Sequence, residues 1–496
     1  MDLLLGLDVG TTATKALLFD LSGEVVASAS HAYGLLTPHE GWVEQDPDDL
    51  WRGVVATCRA LRDALGPQDR IIALSQSSQA GTTIPLDAAG RPTYNAISWM
   101  DGRAHAQAQR YREEWGEEFL YRTSGWPLFD GLPLQHVRWL RDERPDIFSA
   151  TRRWTFVNDY ITWRLTGEWC MNPSDASITQ FLNVANADWD ERLLAAAGIR
   201  REQMSPVHPS GWPVGPLTSR ASEETGLPRG VLVVNGAHDQ YCAAVGTGVT
   251  RPGLVLLSCG TAWVILAVPE TLEVGLQSGM AVSCHAIASR WGAIRSLGGV
   301  GTSLEWFVDR VWQEPQQVLP REDTYRAINE AVARASAGAD GLFFLPLAGG
   351  HLTTVGAGRG GFVGIMLSHS RDALARAVME GIVFELRWVM DEIKAAGLEI
   401  AALKMVGGAA RSSVWPQIVA DVTGTPVVLP GAAEAACRGA AILAGVGAGL
   451  FADAESGFAG AGAAERRLEP LEEHVRRYDE FFCGYQRAWA AVHGGA

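Results

Sequence analysis

Three short segments place polar or acidic side chains where an apolar run gives way to small residues. In the first, Leu3–Leu7 leads into Asp8-Val9-Gly10-Thr11-Thr12. Glycine lets a backbone approach an anion closely, and successive N–H groups of a turn can point at phosphate oxygens. A carboxylate such as Asp8 can hold Mg²⁺, usually through water. Lys15 follows within the next apolar run. The same residues also suit an ordinary hairpin with a polar turn. In the second segment, VLVVNGAHDQYCAAVGTG (231–248), an apolar strand and a small-residue turn bring Asp239 to the start of a helix. A helix N-terminus favours the ionised carboxylate, and an ionised Asp suits accepting a proton from a substrate hydroxyl. Asp is also a common plain helix cap. In the third, VGGAARSSVWPQIVADVTG (406–424), a strand ends at Gly407-Gly408 and a helix begins near Ser412. Glycines there allow a flat ring such as adenine to lie against the backbone, and a strand–helix turn in any α/β protein needs small residues as well. The chain contains neither GxxxxGK[ST] nor the protein-kinase glycine-loop set, so use of ATP would place it in another class.

The elements that must position these residues are legible around them. Residues 3–30 read as three strands joined by tight turns at Gly10-Thr11-Thr12 and Leu21-Ser22-Gly23. Residues 48–65, DDLWRGVVATCRALRDAL, carry apolar positions at helical spacing behind acidic residues suited to a first turn. Ile71–Leu74 is a further strand, and a meander followed by helix and strand predicts an α/β domain. The pattern then returns: Leu254–Ser258, Cys259-Gly260-Thr261 and Trp263–Val268 repeat the order of LLGLDVGTTATKALLF, with Ser258 where Asp8 stood. A helix over roughly 372–395 feeds a strand at Ala401–Val406. Two related α/β domains meeting near residue 246 explain this repetition. The stretch 205–216, SPVHPSGWPVGP, reads as an ordered loop, 454–464 as the most linker-like part, and 468–492 as a terminal helix whose aromatics pack.

The 496 residues suffice for more than one domain of the usual ~100–200. With 47% hydrophobic and 20% charged residues a large core is expected and disorder is not. The net charge of -15 argues against binding nucleic acid or an anionic membrane, which need clustered Lys and Arg. It leaves a phosphate site open, since backbone N–H groups can hold phosphate. Seven scattered cysteines without a Cys-x-x-Cys predict buried small hydrophobes, not a disulfide framework or zinc cluster. No run of about 18 apolar residues is present, and MDLLLGLDVG reads as a strand, not a signal peptide. A cytoplasmic protein is expected.

Read together, the segments resemble the FGGY carbohydrate kinases of the actin-like, ribonuclease-H-like ATPase superfamily, from about residue 3 to 450. To the segments above are added GWVEQDPDDLW (41–51), AISWMDGRA (96–104), VNDYITWRLTGE (157–168), SDAS (174–177) and GGFVGIMLSHSRDALARAVMEGIVFELR (360–387). The resemblance implies an α/β fold of two ribonuclease-H-like domains with an interdomain cleft. Residues 1–245 would bind the sugar and carry the catalytic base, and residues 246–496 would bind the nucleotide. It implies transfer of the γ-phosphoryl group of ATP, with Mg²⁺, to a small sugar. Asp239 matches the catalytic base and Asp8 the carboxylate near the metal. Gln79, Ala80, Gly81, Trp99, Asp101, Arg103, Gln240 and Trp263 match the sugar side. Gly10, Thr11, Thr12, Lys15, Gly260 and Thr261 match the phosphate side, and Gly301, Gly408, Ala409 and Ser412 the adenosine side. Closure would align the sugar hydroxyl with the γ-phosphorus and exclude water.

Ala80-Gly81 departs from the pattern. Glycerol kinases have an Arg–Glu pair there and xylulokinases usually Met–His, so glycerol is disfavoured. A ketopentose such as xylulose stands as the expected acceptor, with another ketose, a polyol or a sugar acid as alternatives. A non-catalytic actin-like ATPase switch is a remoter one, since it would need neither Asp239-Gln240 nor WMDGR. His136 replaces the Lys expected in GLPLQHVRWL and reads as a surface or satisfied residue. The partners implied are a small-molecule sugar, no nucleic acid and no membrane; a homodimer is compatible with all of this.

Overall fold

The structure is a computed structural model, and it describes residues 1–260, 262–313, 319–347, 359–431, 434–460 and 465–494. The chain divides into two compact units. The first begins with a meander, β1 (Asp2–Val9), β2 (Ala13–Asp20) and β3 (Val25–Ala32). Helix α1 (Pro47–Asp63) follows, started by Asp46, whose side chain accepts from Asp48 N, and by Pro47 in the first turn, where no N–H is missed. Its Leu50, Val54, Cys58 and Leu61 recur at helical spacing and are buried. Strand β4 (Arg70–Ser78), helix α2 (Pro173–Ile178), strands β5 (Pro213–Pro216) and β6 (Leu232–His238), and helix α3 (Asp239–Thr247) complete this stretch. The six strands lie in the order β5-β6-β4-β1-β2-β3. Strands β1, β4 and β6 run parallel, so their C-terminal ends share one edge: Val9 and His238 both stand in register with Ser78.

The second unit repeats the hairpin as β7 (Gly253–Cys259) and β8 (Trp263–Ala267). Helix α4 (Arg371–Ala395) leads to β9 (Ile400–Gly407), parallel to β7, and helix α5 (Trp415–Thr423) to β10 (Val427–Leu429). A single 3-10 turn at Ala409–Arg411 precedes Ser412, and helix α5 starts three residues after Ser412, at Trp415.

The chain then returns to the first unit. Helix α6 (Ala435–Gly447) packs on the face of β1 opposite α1. Leu3, Leu5, Leu7 and Val9 belong to the cluster with α1, whereas Leu4 joins Cys437, Ala441 and Ala444 of α6. Alternate side chains thus meet different layers, which is why β1 reads as an unbroken apolar run. Full burial of each such Leu is worth about 1.5–3 kcal/mol. The approach of α6 is backbone to backbone. A Cβ on Gly6 would lie 1.9 Å from Cys437 O, one on Gly246 would lie 2.1 Å from Ala435 O, and one on Gly439 would lie 1.8 Å from Cys242 O. These contacts account for a division other than a single cut near 246. The first unit is Met1–Thr250, Pro269–Ala293 and Ala432–Ala463; the second is Arg251–Val268, Ile294–Gly431 and Ala464–Ala496.

Strand β11 (Arg466–Leu468) pairs with β10, giving the order β8-β7-β9-β10-β11, and helix α7 (Glu472–His493) buries Tyr478, Phe482 and Tyr485. Two local expectations change. Residues 454–460 of the linker-like stretch are helical, and the loop at 205–216 ends in β5. Six cysteines are buried and free, and Cys483 is exposed. Among the described residues no helix is long and apolar enough to cross a membrane.

Candidate active site

The shared C-terminal edge of β1, β4 and β6 is where open α/β sheets carry their ligands. Asp8, next to last in β1, stands in register with Lys15 on one side and Ser77 on the other. Ser77 Oγ donates to Asp8 Oδ1 at 2.7 Å. Lys15 Nζ donates to Glu434 Oε2 at 2.8 Å, just ahead of α6. Burial, reinforced by the charge of Asp239, pushes the Asp8 carboxyl from 3.8 up to about 6, against the lowering effects of Ser77 and Lys15. Two carboxylates from distant parts of the chain, Asp8 and Asp239, therefore sense one another.

Asp239 is the first residue of α3, at the positive end of the helix. His238 Nε2 approaches its Oδ1 at 3.0 Å. The angles of that approach do not make a hydrogen bond, and Oδ1 is buried with no hydrogen-bond partner; Gln240 Oε1 beside it is in the same condition. His238 is buried behind it, with its N–H donating to Ser174 Oγ at 3.0 Å. Burial opposes a charge on its imidazole, but Asp239, with Asp175 behind it, raises its pKa above 6.5. Asp175, in α2, accepts from Asn172 Nδ2 at 2.6 Å and from Ser78 Oγ at 3.3 Å. Burial lifts its carboxyl to about 7, partly countered by His238.

The Gly10-Thr11-Thr12 turn is tied to the WMDGR segment and to Gln79. Trp99 Nε1 donates to Thr11 Oγ1 at 3.1 Å, Gln45 Nε2 to Thr11 O at 2.8 Å, and Gln79 Nε2 to Gln45 Oε1 at 2.8 Å. The Trp99 ring is 40% exposed and forms an open apolar wall. Ala80 packs with Leu132, Ile178 and Trp126. A Cβ at Gly81 would lie 3.2 Å from Trp99 Cβ. The expectation that Asp101 and Arg103 face a sugar changes. Arg103 lies wholly inside the fold, paired with Asp101 at 2.7 Å and Glu44 at 2.8 Å, with its guanidinium 3.8 Å from the centre of the Trp42 ring. Asp101 Oδ2 also accepts from Val43 N. These two charges brace the loop carrying Trp99, and buried charges are held only when paired in this way. His136 is likewise not on the surface: it is fully buried, its Nδ1 is 3.1 Å from Thr83 Oγ1, and burial lowers its pKa to about 3.

In the second unit the other candidate residues gather at the ends of β7 and β9, which pair Cys259 with Gly407. Gly408 N donates to Cys259 O at 2.9 Å. Gly407 has φ +92°, and a Cβ there would lie 2.4 Å from Cys259 O. Gly260 is exposed at the hairpin tip; Thr261 lies outside the described residues. Ser412 Oγ donates to Asn329 Oδ1 at 2.7 Å and accepts from Trp415 N at 3.0 Å, so its hydroxyl anchors the start of α5, and Ala409 is buried just before it. Gly301 sits in the first turn of the helix Val300–Phe307. Trp263, expected against a substrate, is buried and packs on Trp415, ring centres 5.1 Å apart.

Sequence reasoning passed over His238, Asp175, Ser77 and Glu434. Two were visible: His238 immediately precedes Asp239, and Asp175 stands in the SDAS segment. Glu434 had no signal, since 419 positions separate it from Lys15.

Two mixed α/β units, each with a strand-turn-strand hairpin and a helix rising from a parallel neighbour, define the actin-like ATPase fold. The N-terminal domain of the FGGY family of carbohydrate kinases matches residues 3–246, and its C-terminal domain matches residues 255–448. The chain is 29% identical to a gluconokinase of Bacillus subtilis, covering 96% of this chain and 93% of that protein. It is 30% identical to a xylulose kinase of Escherichia coli, covering 85% and 84%. The solved xylulose kinase of Rhodospirillum rubrum superposes with a TM-score of 0.88 at 28% identity, over 99% of both chains. The chain belongs to the FGGY family of carbohydrate kinases. It is an ATP:sugar phosphotransferase, with ATP and a small-molecule sugar as substrates.

Proposed function

We propose that the acceptor is a ketopentose such as xylulose and that Asp239 is the base. The observation that carries this reading is the buried Asp239 Oδ1 without a hydrogen-bond partner, at a helix N-terminus and beside a second carboxylate, Asp8. Asp239 takes the proton of the sugar hydroxyl as that oxygen bonds to the γ-phosphorus and the bond to the β-phosphate oxygen breaks, releasing ADP. Gln240 and Gln79 offer hydrogen bonds to neighbouring hydroxyls, and Trp99 an apolar face. Ala80 and Gly81 line that wall, while Asp101 and Arg103 act through the loop they brace. Gly10, Thr11 and Thr12 serve the phosphate with Lys15 as a nearby cation, and Gly260 and Thr261, the latter outside the described residues, are their counterparts in the second hairpin. Gly301, Gly408 and Ala409 receive the adenosine, and Ser412 holds their neighbourhood. Residues 1–245 thus serve the sugar and 246–496 the nucleotide, in a cytoplasmic enzyme.

Mg²⁺ fits the donor set. Asp8 supplies one hard carboxylate oxygen ligand, and among the described residues no cluster of three or more acidic, His or Cys groups forms a dedicated cage. That suits an ion held mostly by water and nucleotide phosphates. Bound there, Mg²⁺ would neutralise charge on the phosphates.

The homologous gluconokinase supports a second acceptor, a sugar acid. An ADP-release screen of the purified enzyme across ketoses, polyols and sugar acids decides. Highest kcat/KM on xylulose is expected; a preference for gluconate would install the second acceptor. With the best acceptor, Asp239→Asn should lose about 10²–10⁴-fold in kcat while still binding ATP. Near-normal turnover would remove Asp239 from the base role.

A further inference from the structure

Beyond Asp239 itself, the residue before it carries a feature the phosphoryl-transfer reading does not use. His238 is the last residue of β6, is buried, and has Nε2 3.0 Å from Asp239 Oδ1. Its other ring nitrogen, Nδ1, is buried without a hydrogen-bond partner. A second carboxylate, Asp175, acts on the same imidazole from α2. A neutral imidazole would leave the Asp239 carboxylate 3.0 Å from Nε2 without a counter-charge, whereas the imidazolium supplies one and in exchange carries a buried Nδ1–H without an acceptor.

We propose that His238 is a positioning residue for Asp239: as an imidazolium against Oδ1 it fixes the orientation of the Asp239 carboxylate for the incoming hydroxyl. The proposal rests on Asp239 as base. No bond forms or breaks at His238, which keeps its proton throughout.

The surroundings define what else acts on the pair. Asp239 faces the imidazole from α3 and Asp175 from α2. The Tyr241 ring lies 5.6 Å away, with His285 edge-on behind it at 5.3 Å. Asp8 acts on Asp239 from β1, with Lys15 and Glu434 acting on Asp8 in turn. His238 is therefore the cation in direct contact with Asp239, and its pKa stands above 6.5 despite burial. The backbone around it is pinned independently, by Ser174 Oγ on His238 N and by the register of β6 with β4. Replacing the ring thus changes the charge beside Asp239 more than the path of the chain.

The test is steady-state kinetics of the full-length enzyme, with ATP and the acceptor chosen by the screen, as a function of pH. Turnover falls on the acid side as the base is protonated. Removing an adjacent cation raises the base's pKa, so in His238→Ala and His238→Gln the acid limb of the kcat profile should move to higher pH. A misoriented reacting group costs up to about 10²-fold, so kcat should drop on that order while KM for ATP stays within about twofold. Circular dichroism and melting temperature select the variant that folds, and His238→Gln decides if His238→Ala does not. A purely structural role would lower activity with the folded fraction and leave the limb in place; that outcome, or unchanged kcat in the folded variant, overturns the proposal. Asp239→Asn measured alongside separates the two levels. If it is inactive while His238 variants are normal, only the role of His238 falls; if it is active, both fall.

Discussion

The two hairpins of this enzyme share a pattern of strand pairing and differ in charge. In each unit a strand ending in a small-residue turn pairs antiparallel with the next strand and parallel with a later one: β1 with β2 and β4, β7 with β8 and β9. The turns themselves differ in length: Gly10 N donates to Ala13 O three residues on at 3.0 Å, and Gly260 N to Ala262 O two residues on at 3.2 Å. At the next-to-last strand position, however, the first unit has Asp8, in register with Lys15 and Ser77, whereas the second has Ser258, in register with Val264 and Val406. The strand pairing is duplicated, but among the described residues only the first copy carries a carboxylate at this position, the one proposed above to face Mg²⁺. Burial first, and then the charge of Asp239, raises the pKa of Asp8, a cost the second unit avoids with Ser258.

The comparison can be broken most sharply at Asp8. Asp8→Asn makes the first turn neutral, like the second, and should cost about 10²-fold in kcat, equivalent to ~3 kcal/mol of charge stabilisation. The same substitution should stabilise the fold at alkaline pH. A carboxyl raised from 3.8 to about 6 binds its proton more tightly when folded, so the wild-type contribution is lost as pH rises from about 4 to 6. Thermal melts should thus show Asp8→Asn matching wild type near pH 4 and exceeding it near pH 8. Equal melting temperatures at both would mean that Asp8 is not strained by its burial.

A smaller effect is expected at Gly407, where the second unit holds its parallel pair together. Gly407→Ala meets both a left-handed φ and the Cys259 carbonyl and should destabilise the protein by about 1–3 kcal/mol, read as a lower urea midpoint. Smaller still is Ser258→Asp, which gives the second turn the first turn's carboxylate without its Lys. A fivefold rise in KM for ATP, about 1 kcal/mol of repulsion from phosphate, is expected with kcat little changed. An unaltered KM would show that this turn does not face the nucleotide.

Much of this is legible in the sequence. The meander, α1, the repeated hairpin, α4 and the helix opening at Asp239 follow from apolar spacing and turn residues, because each is a local pattern. What escaped was set by long-range contact. Arg103 has the composition of a binding residue, but Glu44 and Asp101 draw it inside. Of the two readings of His136, surface or satisfied, burial beside Thr83 removes the first. Glu434 meets Lys15 only because α6 crosses back to the first unit. Trp263 and Ser412 fall at expected positions in the chain, yet their side chains are taken by Trp415 and Asn329. Segment and element were readable; which way a side chain points was not.

The return of α6 also orders events during synthesis. Leu4, Leu17, Phe19, Ala73 and Val234 form a face whose cover is Cys437, Ala441 and Ala444. At elongation speeds of roughly 5–20 residues per second, α6 leaves the ribosome about 10–40 s after β6 and α3 have been made. Throughout that interval the nascent first unit carries an uncovered apolar sheet face, and the elements bearing Asp8 and Asp239 lack the helix that clamps them together. A chain released before residue 435 would be left in that state, exposed to aggregation and with the edge that carries Asp8 and Asp239 unassembled.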